Sequence, residues 1–117
     1  NQQRFGGPRK KFLCLDAVAA KPPRGHLAMA RDVLLHLPLK DIAALLSNVK
    51  ASGSTYLFAS TNVRAEVNQD IRCGSAAPRN LERTPFDFPP PIYVMNELRP
   101  KWPDKCMGLW RLRELEI

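Results

Sequence analysis

The stretch that leaves this chain fewest choices is residues 27–60. Leu27-Ala28-Met29-Ala30 is an uninterrupted apolar run of strand length, which suits a strand covered on both faces. It breaks at Arg31-Asp32 and passes through a polar turn that ends in His36-Leu37-Pro38. Residues 39–52 then put Leu39, Ile42, Leu45, Leu46 and Val49 on one stripe at helical spacing. Pro38 stands at the start, Asp41 in the first turn and Gly53 just past the end. Residues 54–60, with Thr55-Tyr56-Leu57-Phe58-Ala59 inside, read as the next strand. Strand, helix, strand in that order predicts a parallel pair joined by a right-handed crossover, and hence an α/β fold. Ligands of such sheets bind outside the carboxyl ends of the strands, so the Arg31-Asp32 turn is where a site is expected.

The flanks are less regular. Residues 1–5 read as the last turn of a helix, because Gly6-Gly7 supplies a left-handed cap and Pro8 forbids continuation. Phe12-Leu13-Cys14-Leu15 follows as a short strand closed by Asp16. Pro22-Pro23 and Gly25 leave no room for a crossover helix before Leu27, so these two strands are not expected to be neighbours. About ten extended residues reach roughly 33 Å, enough to pass over two intervening strands. Residues 61–91 show no period and are rich in Asn, Arg and Pro; so long an irregular segment beyond a strand's carboxyl end reads as a lid or a substrate wall, with a slack loop as the plainer alternative. Residues 92–96 and 107–112 look like two strands of a C-terminal antiparallel hairpin. Pro100 and Pro103 keep the connection between them from being helical.

Composition bounds the rest. A chain of 117 residues makes one domain at most, and 44% hydrophobic residues is enough for a core and too many for a disordered tail. No apolar run approaches the roughly 20 residues of a membrane span, and Asn1-Gln2-Gln3-Arg4 does not open a signal peptide, so a cytoplasmic protein without a membrane partner is expected. Cys14, Cys73 and Cys106 form neither a disulfide framework nor a Cys-x-x-Cys pair, and no metal is expected. The net charge of +7 invites a nucleic-acid reading, but the only dense basic cluster is Arg4, Arg9, Lys10 and Lys11. The remaining basic residues are scattered, and no aromatic residues interleave with them, which argues against a nucleic-acid partner.

Phe12-Leu13-Cys14-Leu15-Asp16-Ala17, then Pro22-Pro23, then residues 27–36 resemble the second part of a class I S-adenosylmethionine-dependent methyltransferase. In that superfamily a strand ends in an acidic residue followed by a small one, a proline-containing loop leads to the fourth strand, and a Val-Leu-x-His-like turn follows. The helix, strand, long loop and hairpin ending in Gly108-Leu109-Trp110-Arg111-Leu112 resemble the end of the same fold. Residues 31–38, 52–61, 68–74 and 80–91 are similar to a bacterial-type group of these enzymes whose substrate is unassigned. The resemblance implies a partial Rossmann-like fold with parallel strands and a C-terminal antiparallel hairpin, as one incomplete domain over residues 1–117.

By that resemblance, S-adenosylmethionine is the cofactor, and four positions match its binding residues. Asp16 matches the carboxylate that accepts a hydrogen bond from the adenine amino group, and Ala17 the neighbour whose amide faces the ring. Ala30 and Arg31 match the end of the fourth strand, near the methionine part. Asp32 and His36 occupy the turn where a small-molecule acceptor approaches. His36 could act as a general base, or simply make a structural hydrogen bond where the helix begins; Asp32 could cap the turn or pair with Arg31. Asn62, Asn68, Asp70, Arg79 and Asn80 could line a polar acceptor pocket or be solvated loop residues.

The family's Gly-x-Gly turn after a first strand has no match here, since Gly6-Gly7 follows a helical pattern. Two readings follow. In one, the chain is the C-terminal half of a methyltransferase, inactive until a glycine-bearing N-terminal half completes it. In the other, it is a non-catalytic remnant that binds a partner, or a second copy of itself, through an exposed sheet edge. A basic RNA-binding module is a third, and predicts a steep loss of RNA affinity with salt.

Overall fold

The computed structural model describes residues 17–72, 75–98, 100–101 and 103–117. The expected N-terminal helix turn, the basic cluster, the strand at 12–15, Asp16 and Cys73 lie outside the described residues. Strand β1 spans Leu27–Ala30, helix α1 Leu39–Ala51, strand β2 Tyr56–Asn62, strand β3 Tyr93–Asn96 and strand β4 Lys105–Arg111. Single 3-10 turns at Leu34–His36 and Leu112–Glu114 complete the regular structure of the described residues. The four strands form one mixed sheet in the order β1-β2-β4-β3. β1 and β2 are parallel, as the strand, helix, strand pattern predicts, with Leu27 opposite Tyr56 and Ala30 opposite Ala59. β4 lies antiparallel between β2 and β3, so the hairpin wraps its last strand inward. β2 begins two residues later than expected and β4 two residues earlier, which brings Lys105 and Cys106 into the sheet.

Alternation along the strands separates two faces. One carries Ala28, Ala30, Leu57, Ala59 and Trp110, and α1 packs on it through Ile42, Leu45, Leu46 and Val49. Each of those four helix side chains contributes roughly 1.5–3 kcal/mol by leaving water. Leu81, Phe86 and Phe88 join the same core from the irregular segment, and Trp110 Nε1 donates to the Pro89 carbonyl at 2.7 Å. The opposite face is far more open. Leu27 and Met29 are 47% and 61% exposed, so β1 is not the doubly covered strand its composition suggests. Its apolar side chains alternate, and only the Ala28 and Ala30 side meets the helix layer. Among the described residues no helix is long and apolar enough to cross a membrane.

α1 ends where expected, with Gly53 at φ 78° after Ser52. Its start is capped from a distance: Pro38 supplies no side-chain cap, and Asp70 Oδ1 accepts the Leu39 N–H at 3.0 Å. A carboxylate there satisfies one of the helix's unpaired first-turn donors and faces the positive end of its dipole.

Candidate functional site

The carboxyl ends of β1 and β2 open onto a pocket of about 360 Å³ lined by Asp32, Leu35, His36, Asn62, Ala76–Pro78 and Lys105. Each wall is fixed by a different element. Asp32 leaves β1 with φ 57°, a left-handed conformation that costs a non-glycine residue energy and is more tolerable for Asp than for most. Its N–H donates to Ser60 Oγ at 2.9 Å, and that hydroxyl in turn donates to Met107 Sδ at 3.2 Å, so the turn is bolted to β2 and β4. The Ala77 N–H donates to the Leu35 carbonyl at 2.9 Å, pinning the far wall to the 3-10 turn. His36 is exposed at the mouth.

Lys105 and Asp32 form an ion pair across the pocket floor, the ammonium side chain 11% exposed and the carboxylate 34%. The expected Arg31 partnership does not form, because Arg31 Nε reaches Glu97 Oε1 at 3.0 Å instead. Two oppositely directed ion pairs therefore mark the carboxyl rim of β1. Lys105 was not among the sequence-derived candidates. A charged residue beside Pro103 and Asp104 reads as connector, and the only hint was its position one residue before the apolar Cys106-Met107 run.

Of the other candidates, Asn62 lines the pocket, but its Oδ1 accepts the Arg79 N–H at 2.9 Å. Asn68, Asp70, Arg79 and Asn80 are engaged elsewhere. Asn68 donates to the Asn80 and Thr84 carbonyls, each at 2.9 Å, and accepts the Asn80 N–H at 2.8 Å. Asn80 donates to the Ala65 carbonyl at 2.9 Å and accepts the Glu82 N–H. Arg79, only 1% exposed, donates to the carbonyls of Leu34, Leu37 and Gln69, and burial pushes its guanidinium below its ordinary value. Asp70 caps α1. These four polar side chains satisfy the backbone of residues 61–91 and of the adjoining turn, as buried or irregular backbone requires. The segment is a braced wall, and Ala76–Pro78 is the part that faces the pocket.

The candidate cofactor positions divide. Ala17 and Ala30 both line a second groove, about 380 Å³, that runs along the outer edge of β1 with Pro22, Leu45 and Val49. The Asn48 side-chain amide donates to the Ala17 and Val18 carbonyls at 2.8 and 3.1 Å, which ties this stretch to the last turns of α1 and so toward the amino ends of the strands. The lining of this groove is mainly apolar, with Ser54 its polar side chain. Comparison with protein-family models, curated proteins and solved structures finds no match for this chain.

Proposed function

We propose that this chain is the C-terminal half of an S-adenosylmethionine-dependent methyltransferase with a partial Rossmann-like fold, and that the pocket over Asp32, His36 and Lys105 receives its methyl acceptor. The observation that supports this is the strand order β1-β2-β4-β3: a parallel pair, then an antiparallel hairpin whose last strand lies inside. Parallel strands followed by a C-terminal antiparallel hairpin are what the resemblance implies, and the pocket lies at the carboxyl ends of the parallel pair, where α/β sheets bind ligands.

Methyl transfer to a positioned nucleophile asks mainly for alignment. The Lys105–Asp32 pair and the braced 76–78 wall hold an acceptor at a fixed height over the rim, and His36 at the mouth takes a proton from an acceptor hydroxyl or amine. The cofactor wall is supplied by a glycine-bearing half that pairs with the β1 edge, which carries no further strand among the described residues.

Calorimetric titration with S-adenosylhomocysteine tests this directly. The chain alone shows no binding, and the chain completed by a Gly-x-Gly-bearing N-terminal half binds stoichiometrically. A completed protein that binds none ends the methyltransferase reading.

The exposure of Leu27 and Met29 on an edge strand favours a second reading, in which the chain is non-catalytic and pairs its β1 edge with another polypeptide. Tight pairing with a strand-bearing partner, and no cofactor binding in any completed form, would select it.

A further inference from the structure

We infer that the acceptor pocket is built for a small zwitterion with an apolar tail, such as a free α-amino acid; this rests on reading the pocket as the acceptor site. Its floor presents both signs of charge side by side. Lys105 is nearly buried, and its ammonium lies against a carboxylate that remains one-third exposed. A ligand carrying only an anion would gain Lys105 and be repelled by Asp32, and a ligand carrying only a cation would meet the reverse. A ligand carrying both closes an alternating four-charge arrangement, its carboxylate on Lys105 and its ammonium on Asp32, and leaves no charge unopposed in a partly desolvated site. Of the remaining lining, Leu35 and Ala76–Pro78 suit a short aliphatic tail, while His36 stands at the mouth and Asn62 already accepts the Arg79 N–H through its Oδ1.

The geometry supports this over a merely structural ion pair. A surface bridge needs no strained backbone, yet Asp32 is held at φ 57° by the Ser60 hydroxyl, a conformation that keeps its carboxylate at the pocket floor. The pair also sits at the carboxyl rim of the parallel strands, the end of the sheet at which ligands bind.

The test compares norleucine with its two single-charge analogues, n-pentylamine and hexanoate, by titration of the 117-residue chain followed through backbone amide shifts. Norleucine is expected to bind at least about tenfold more tightly than either analogue, with shifts at Leu35, Ala77 and Lys105. Lys105→Met removes the advantage over n-pentylamine, and Asp32→Asn, which tolerates the left-handed backbone, removes the advantage over hexanoate. Either analogue binding as well as norleucine, unchanged preference in both variants, or no saturable binding of norleucine overturns the inference. Norleucine binding in a protein whose completed form never binds S-adenosylhomocysteine would retain the ligand class and discard the methyltransferase. Cofactor binding without norleucine binding would do the opposite.

Discussion

Gly108 lies directly under the indole of Trp110: a Cβ built on Gly108 would stand 2.5 Å from Trp110 Cη2 and 2.8 Å from Cζ3. The two residues share a face of β4, and the ring folds back over the glycine because its Nε1 is fixed to the Pro89 carbonyl. The indole is 1% exposed and has nowhere to retreat. Gly108→Ala should therefore overpack the core and destabilise the protein by about 1–3 kcal/mol. Urea denaturation checks this, and an unchanged midpoint would mean the indole is free to shift.

Arg79 ties three carbonyls that no other described side chain reaches. Arg79→Met keeps the apolar stem and removes the donor from the carbonyls of Leu34, Leu37 and Gln69, of which that of Leu34 retains the Leu37 N–H. A loss of about 2–5 kcal/mol is expected. Amide exchange should rise first over 61–91 and the 3-10 turn, before the sheet opens.

Asp70 gives the protein an acid-sensitive cap. The backbone N–H groups of Leu39 and Ile71, which donate to its carboxylate, hold its pKa below the ordinary value of 3.8. A folded-state value below the unfolded one contributes stability that is fully present above the unfolded value and is lost as pH falls through the folded value. Stability measured from neutral pH down to about pH 2 should thus show the wild type ahead of Asp70→Asn above about pH 4. The two curves should converge below that. A constant gap across the range would contradict the cap.

The Lys105–Asp32 pair should respond unequally to its two deletions. Asp32→Asn leaves a nearly buried ammonium without its counter-charge, whereas Lys105→Met leaves a carboxylate with one-third exposure to water. Removing the partner of the more buried charge costs more. Thermal unfolding of both variants should place Asp32→Asn lower, and the reverse order would mean that Lys105 reaches solvent more readily than its burial implies.

What could be read from the residues alone follows from how local the signal is. The α1 stripe and the run over β2 are periodic, and periodicity within one element reports its burial directly, so the parallel unit and the hairpin were both legible. Whether β1 is covered on one face or two depends on neighbours, and Leu27 and Met29 carry no mark of that. The same holds for Asn68 and Asn80. A polar loop side chain looks identical in sequence whether it faces a ligand or the carbonyl of a residue fifteen positions away. Lys105 escaped notice because two prolines nearby suggested a connector, while its burial comes from pairing with Asn62 across β2 and β4. The donation from the Asn48 amide to the Ala17 carbonyl is a long-range tie that neither residue signals in sequence.

In the proposed function, cofactor and acceptor pocket meet at the carboxyl rim of β1. Mapping backbone amide shifts of the completed protein on addition of S-adenosylhomocysteine measures this. The largest changes should fall at Ala30, Arg31 and Asp32, with Ala17 shifting as well. Changes confined to the opposite end of the sheet, around Gly53, Thr55 and Arg111, would contradict it.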